Sequence, residues 1–418
     1  MSLKNELITI ARQAQEAFRV SQDLSSDVKN RVLTEMSVAL LQQKSLIIKA
    51  NAVDLKKARS MALSPAFVDR LTLNDTRIEE MAESLSQIAR LPDPVGEVIS
   101  GWRRPNGLWI EKVRVPIGVI AIIYESRPNV TSDCAGLCFK SGNSVILRGG
   151  KESINSNIAI YEIFKAVLKK LKIHPGMVNL IVTDDHKAVN ELLQLHEYID
   201  LVIPRGGEGL IRKVTESSRI PVIKHYKGIC HVYVDKDAQI PMAEEVCFNA
   251  KVQRPGTCNA MECMLVHKNI AKKFLPHMLE RFRKAGVRIR GCAAVKKIFK
   301  DVTLSEEKDY YTEYLDLILS VKIVDDVESA INHINYYGSH HSDSIITEHH
   351  ETALRFLRFV DSACVYVNAS TRFTDGYQFG LGAEIGISTD KLHARGPMAL
   401  QELTTYKYIV FGNGQVRT

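Results

Sequence analysis

The first glycine of the chain is Gly96, and the residues before it read as nearly unbroken amphipathic helix. Helices are expected to start near Leu3, after Ser25-Ser26 and after Asn74-Asp75, the last two behind side chains that accept the free N–H groups of a first helical turn. Pro92, Pro94 and Gly96 end this helical packing block. Alternation follows: Val98 to Val115 reads as a hairpin turning at Arg104-Pro105-Asn106-Gly107, because Asn-Gly suits the left-handed conformations of a tight turn. Its free edges can belong to one domain or pair with another subunit, and the pattern alone leaves both open.

From Pro116 apolar strands alternate with helices. Gly118 to Ile123, Ser144 to Leu147, Val178 to Val182 and Leu201 to Ile203 read as strands, and Ser132 to Lys140, Asn155 to Leu171 and Lys187 to Leu195 as the helices between them. Uninterrupted apolar strands joined by helices predict a parallel sheet, whose ligand sites lie where strands end and loops begin. A second α/β block starts with the strand at Val232 to Asp235 and takes in strands at Met261 to Val266, Leu317 to Val324 and Ser344 to Thr347. The tail from Val365 to Gly386, rich in Gly, Thr and Ser, reads as loop, with a last strand at Lys407 to Phe411.

Two strand ends carry glycine pairs beside cations. In Leu147-Arg148-Gly149-Gly150-Lys151-Glu152-Ser153 the backbone N–H groups, Arg148 and Lys151 suit phosphate or ribose oxygens, and Ile203-Pro204-Arg205-Gly206-Gly207-Glu208-Gly209 repeats the arrangement. Neither is the G-x-G-x-x-G fingerprint, and either alone is ordinary turn chemistry; the pair leaves a nucleotide site and two plain turns as open readings.

One cysteine stands apart. A helix opening at Pro241 and ending near Lys251 leads into Arg254-Pro255-Gly256-Thr257-Cys258-Asn259, and a strand from Glu262 leaves it. Core packing is the ordinary fate of a cysteine. Cys258, however, follows Pro-Gly-Thr instead of an apolar run, with Lys251 and Arg254 close in sequence. The thiolate is the reactive form; cations favour it, and the carboxyl end of the preceding helix opposes it.

Composition narrows the classes. A length of 418 residues suggests two or three packed units, and 45% hydrophobic with 25% charged residues is ordinary for a globular chain. No apolar run approaches the roughly 20 residues of a membrane helix, and Met1-Ser2-Leu3-Lys4-Asn5-Glu6 has no signal-peptide core, so a cytoplasmic protein without membrane contact is expected. The eight cysteines have the spacing of neither a zinc framework nor a disulfide scaffold, so no metal is expected. The net charge of +7 is spread along the chain, which favours an anionic substrate and cofactor over nucleic acid.

Longer blocks carry a resemblance: Pro116 to Ile120, Tyr124-Glu125-Ser126-Arg127-Pro128-Asn129-Val130-Thr131, Val145 to Gly150, Ile203 to Gly207, Gly228 to Asp235, Pro255 to Ala260, Thr312-Glu313-Tyr314-Leu315 and Arg372-Phe373-Thr374-Asp375-Gly376. Almost end to end, the chain resembles the γ-glutamyl phosphate reductases, a proline-biosynthetic branch of the aldehyde dehydrogenase superfamily. The resemblance implies an α/β fold with a Rossmann-type NADP-binding domain (1–97 and 116–230), an α/β catalytic domain holding the nucleophile (231–366), and an oligomerisation hairpin with a C-terminal returning segment (98–115 and 367–418). It implies reduction of L-glutamate 5-phosphate by NADPH to glutamate 5-semialdehyde with release of phosphate, through a thioester on Cys258. It further makes Asn129 an oxyanion donor, assigns Arg148, Lys151, Gly206, Gly207 and Glu313 to the cofactor, and leaves Arg127 and Arg372 as candidates for the substrate's carboxylate or phosphate.

Oxidising relatives place a glutamate base 34 residues before the cysteine; here that position is Lys224, as suits a reductase that gains nothing by hydrolysing its acyl-enzyme. Lys151 stands where NAD-preferring relatives carry an acid, which favours NADPH. The expected partners are a second copy of the chain and the glutamate 5-kinase that makes the labile substrate. Two rivals remain: an acylating dehydrogenase using an acyl-CoA, and a silent paralogue acting as a binding protein, against which Cys258, Asn129 and Glu313 argue.

Overall fold

Side chains of Ser2, Ser25 and Asn74 accept N–H groups from the first turns of the helices they precede. Five helices result: α1 (Leu3–Val20), α2 (Ser26–Gln42), α3 (Lys44–Ser60), α4 (Pro65–Leu71) and α5 (Asp75–Arg90). The computed structural model describes residues 2–417 apart from positions 62, 64, 126, 184 and 225, and gives no side-chain environment for residues 65 and 66. Ser126, within a block read above, therefore lies outside the described residues. The chain divides into two units, Met1–Lys224 with Gly380–Gly386 and Met398–Thr418, and His225–Phe379 with Ile387–Pro397.

In the first unit the hairpin strands β1 (Val98–Arg103) and β2 (Trp109–Pro116) are antiparallel, and the C-terminal strand Thr404–Phe411 pairs with the other edge of β2. The series β3 (Val119–Tyr124), α6 (Asn129–Lys140), β4 (Ser144–Arg148), α7 (Ile154–Lys170), β5 (Val178–Leu180), α8 (Lys187–Leu192), β6 (Leu201–Arg205) and α9 (Glu208–Ser217) follows. Its four strands form a parallel sheet in the order β5-β4-β3-β6. Every residue of β3, β4 and β5 is buried, which is why these strands read as unbroken apolar runs. Leu7, Ala11 and Ala14 of α1 share a core with Val119, Ala121 and Ile123 of β3.

The second unit is built on a seven-stranded parallel sheet. In chain order its elements are β7 (Cys230–Val234), α10 (Ile240–Val252), β8 (Met261–His267), α11 (Lys268–Lys284), β9 (Arg288–Gly291), α12 (Ala293–Ile298), β10 (Thr303–Leu304), α13 (Glu307–Tyr310), β11 (Ile318–Val324), α14 (Val327–Tyr337), β12 (Ser342–Ile346), α15 (His350–Phe359) and β13 (Cys364–Val367). The strand order is β10-β9-β11-β8-β7-β12-β13, so β8 and β7 lie at its centre. Phe274, Leu275, Met278 and Phe282 of α11 pack with Met264 and Val266 of β8.

The tail departs from the loop expected there. Cys364–Val367 is a strand in register with β12, and Gly386–Ser388 and Gly396–Met398 pair with each other. Backbone pairing overrides a composition that, taken alone, favours turns. No described helix is long and apolar enough to cross a membrane.

Candidate active site

In the first unit the sequence candidates gather at the carboxyl ends of three neighbouring strands, β4, β3 and β6. Arg148 is the buried last residue of β4, and Lys151 lies exposed in the turn that follows. Gly149 is required in that turn: a Cβ there would stand 2.1 Å from Asn157 Nδ2 and 3.1 Å from the Tyr124 ring. The helix that follows is already capped. Asp54 of α3 accepts the N–H of Asn155 at 3.2 Å, the N–H of Ser156 at 2.8 Å and the Ser156 hydroxyl at 2.6 Å. The first-turn amides of α7 that the sequence offered to an anion are therefore already engaged by Asp54.

At the end of β6, Gly207 donates its N–H to Glu125 Oε2 at 2.9 Å, and a Cβ on Gly206 would stand 2.4 Å from the same oxygen. A carboxylate thus occupies the start of α9, where an anion is favoured. Arg127 is exposed just ahead of α6, and Asn129 is the first residue of that helix. Asn129 Nδ2 donates to Asp133 Oδ2 at 3.3 Å, and the Ser84 hydroxyl donates to Asp133 Oδ1 at 2.9 Å.

Burial lifts the Asp133 carboxyl to about 6 even though both hydrogen bonds favour its charge. A carboxyl raised in the fold binds its proton more tightly there than in the unfolded chain. Its ionisation therefore weakens the fold above about pH 6, and the cost vanishes as the pH falls through the unfolded value of 3.8. Asp133→Asn keeps an acceptor for Asn129 and reverses the other bond, its Nδ2 donating to the Ser84 hydroxyl. It is expected to raise Tm by about 2–4 °C at pH 8, the gain disappearing near pH 4 in calorimetry across that range.

In the second unit Cys258 is half-exposed in the loop between α10 and β8. Two separate parts of the chain, residues 371–374 and Cys230 of β7, hold this loop. Arg372, in the short turn Thr371–Phe373, donates from Nη1 to Thr257 Oγ1 at 3.0 Å and to Asn259 Oδ1, and from Nε to Gln253 Oε1 at 2.9 Å. One guanidinium thus bonds the residues on either side of the thiol. Thr371 donates its hydroxyl to the Asn259 carbonyl at 2.7 Å, and Asn259 Nδ2 donates to the Thr374 carbonyl at 2.8 Å. From β7, the Cys230 thiol donates to the Cys258 carbonyl at 3.2 Å, and burial, which raises its pKa well above the ordinary range, keeps it in the donor form.

Gly228 lies so close that a Cβ on it would be 1.9 Å from the Cys258 carbonyl oxygen. Its N–H donates to Glu313 Oε1 at 2.9 Å. Cys258, Arg372 and Glu313, scattered in sequence, are thereby brought together. Burial and the neighbouring Arg254 lower the pKa of Arg372, while the Cys258 side chain favours its charge.

Sequence proximity misassigned one cation. Lys251 does not face Cys258 as an available charge: its ammonium is 2.7 Å from Glu262 Oε2, with the two side chains 0% and 1% exposed. Arg372 takes that place from the far end of the unit. Gly228, Cys230, Asn259 and Glu262 belong to the same constellation and were not singled out from sequence. The one available signal was that Gly228, Cys230 and Asn259 fall in blocks carrying the resemblance.

Among the described residues, one group of potential metal ligands clusters, His231, Cys263 and His333. Lys322 Nζ lies 3.2 Å from His333 Nδ1, which makes that nitrogen an acceptor and puts the ring proton on the Nε2 facing Cys263. Asp343 holds His231 Nδ1 at 2.9 Å and, against the opposing effect of burial, lifts this imidazole to about 10. Asp343 and Lys322 already hold the two imidazoles, and no metal centre is assigned to the group.

With this geometry in hand, comparison with known proteins is specific. The aldehyde dehydrogenase family model matches residues 2–290. A γ-glutamyl phosphate reductase of Thermodesulfovibrio yellowstonii is 58% identical over 417 residues, covering 100% of both chains. The crystal structure of γ-glutamyl phosphate reductase from Thermotoga maritima superposes with a TM-score of 0.97 at 49% identity, over 99% of this chain and 100% of that one. A glyceraldehyde-3-phosphate dehydrogenase of Methanocaldococcus jannaschii complexed with NADP has a TM-score of 0.71 at 16% identity, over 98% of this chain and 95% of that one, a likeness of fold alone.

Proposed function

For a chain that belongs to the aldehyde dehydrogenase family, in its γ-glutamyl phosphate reductase branch, we propose a thioester mechanism in which Cys258 is the nucleophile and NADPH the reductant. The reaction is reduction of L-glutamate 5-phosphate to L-glutamate 5-semialdehyde with release of phosphate, a step of proline biosynthesis. The observation that carries the mechanism is a half-exposed thiol whose neighbours Thr257 and Asn259 are bonded by the single guanidinium of Arg372.

The Cys258 thiolate attacks the acyl carbon, the C–O bond to phosphate breaks, and a thioester forms with phosphate as leaving group. Arg372 suits both anions present at that moment, the thiolate and the departing phosphate; Arg127 is the second candidate for the substrate's charged ends. The backbone N–H of Cys258 and the Asn129 amide, turned by Asp133, supply donors to the developing oxyanion. When bound, the cofactor supplies a hydride that reduces the thioester carbon. The resulting thiohemiacetal then loses the thiolate of Cys258 and leaves the aldehyde. Lys224 at the position of the hydrolytic base offers no carboxylate to activate water.

The first unit offers a nicotinamide dinucleotide the cations at the ends of β4 and β6, Arg148, Lys151 and Arg205, which suit its phosphates. Arg148, Lys151, Gly206 and Gly207 are assigned to it, with Glu313 on the nicotinamide ribose. Lys151, exposed just beyond the end of β4, suits a 2′-phosphate. Lys151→Glu is expected to raise the KM for NADP⁺ about 10–100-fold while leaving that for NAD⁺ within a few-fold, as loss of one charge-assisted contact requires.

The test of the whole reading is the reverse assay with glutamate 5-semialdehyde, phosphate and NADP⁺, with NAD⁺ and with coenzyme A replacing phosphate as comparisons. Phosphate-dependent NADP⁺ reduction supports it. Turnover with coenzyme A alone would favour the acyl-CoA alternative.

A second copy of the chain is the proposed partner at the sheet of β1, β2 and the C-terminal strand, where Val98, Trp102, Trp109, Tyr408, Val410 and Phe411 are 38–56% exposed. Association with the kinase that makes the acyl phosphate is proposed from the lability of that substrate.

A further inference from the structure

A buried ion pair sits at the neck of the Cys258 loop. Lys251 is in the last turn of α10 and Glu262 is the second residue of β8, so the pair joins the two ends from which residues 253–260 project. Two apolar side chains would close this neck without the cost of desolvating two charges. What they would lack is direction. The second oxygen of Glu262 accepts the N–H of Leu315 at 3.1 Å, so one carboxylate ties α10, β8 and the loop of residues 313–316.

That loop needs such a tie. Leu315 has φ +52°, a left-handed conformation unfavourable for a leucine, and its side chain is 43% exposed, so packing of the side chain does not hold it. Tyr314 anchors the other side of the loop through its hydroxyl, 3.2 Å from Asp309 Oδ1 and 3.0 Å from Ser320 Oγ. Only two residues before Leu315, Glu313 reaches Gly228, whose backbone lies against that of Cys258. Glu262 thus links the Glu313 loop directly to the base of the Cys258 loop, and Gly228 links it to the tip through the backbone ahead of β7.

We infer that Lys251 and Glu262 are positioning residues for hydride transfer, fixing the Cys258 loop against the Glu313 loop and with it the spacing between the acyl-bearing sulfur and the nicotinamide ribose. The inference rests on the assignment of Glu313 to that ribose. Glu262 touches neither substrate nor cofactor; it acts by keeping two contacts in register. Acylation, which needs only the thiol and its immediate neighbours, depends on this register far less than reduction does.

The test uses Lys251→Met, Glu262→Leu and the double variant. Each single variant leaves an uncompensated buried group and is expected to lose stability. The double variant removes both charges and is expected to recover a Tm within a few degrees of the wild type. Its kcat is nevertheless expected to stay about 30–100-fold low and its KM for NADPH to rise, while the burst of phosphate from the first acylation and the rate of Cys258 alkylation by iodoacetamide remain within about threefold of wild type.

Hydrogen exchange at the amides of Leu315 and Gly228 is expected to quicken about tenfold or more in the double variant. Recovery of kcat together with Tm would reduce the pair to a structural role, and unchanged protection of those two amides would overturn the linkage. Wild-type protein that fails to turn over glutamate 5-phosphate defeats the functional reading alone, since the exchange measurement still decides the tie between the loops.

Discussion

Cys258→Ala is expected to lower reduction of glutamate 5-phosphate by about 10,000-fold or more while leaving the affinity for NADPH within about twofold. The magnitude follows from the absence of a substitute nucleophile on the same loop. Thr257 Oγ1 is engaged with the Arg254 carbonyl at 2.9 Å and Asn259 Oδ1 at 3.0 Å, and a hydroxyl, far less acidic than a thiol, needs a base to become a nucleophile. Cys230 cannot take over either, because its thiol is buried and donates to the backbone of Cys258. Steady-state NADPH oxidation and phosphate release, with fluorescence titration of NADPH, separate lost chemistry from lost binding. Turnover within a hundredfold of wild type would exclude the thioester route.

Gly228→Ala is the second large effect, and its origin is steric. The added carbon would lie 1.9 Å from the carbonyl oxygen, 2.5 Å from the carbonyl carbon and 2.6 Å from the Cα of Cys258, all backbone atoms that no rotamer change can move aside. Either strand β7 or the nucleophile loop must shift by an ångström or more, and the bond from Gly228 N–H to Glu313 goes with it. A displacement of that size at a reacting atom costs on the order of a hundredfold in kcat. Overpacking adds about 1–3 kcal/mol of instability. Full activity at wild-type Tm would mean that Gly228 and Cys258 do not approach in this way.

Much of this architecture can be read from residue pattern, for identifiable reasons. Strands buried on both faces, such as Val119–Tyr124, can hold only apolar residues, so they announce themselves. Helices that follow Ser25 and Asn74 announce their starts because the side chain that caps them is a chemical signal. Helix α3 gives none: it is separated from α2 by Gln43 alone, which makes no side-chain cap bond. Strand β13 has only four residues, three of them half-buried, in a segment of turn-forming composition.

The site divides along the same line. Cys258 stands out through its Pro-Gly-Thr approach, and the glycine pairs through their place at strand ends. The identity of its cation does not, because Lys251 is seven residues away in sequence yet neutralised by Glu262, whereas Arg372 arrives through a bond spanning 115 residues. Charge near in sequence is a poor guide where a buried carboxylate can intercept it. Asp54 makes the same point for the first unit: a carboxylate on the N-terminal helical block takes the amides of α7 that pattern alone would give to phosphate.

The span from Thr257 to Arg372 also orders events during synthesis. With elongation at about 5–20 residues per second, on the order of ten seconds separate the polymerisation of the cysteine loop from that of the arginine that brackets it. Throughout that interval the growing polypeptide carries its thiol without the clamp that Arg372, Thr371 and Thr374 later provide. Catalytic competence is thus postponed until the far end of the catalytic half has been made, and a ribosome-bound fragment ending before residue 371 is expected to give no turnover.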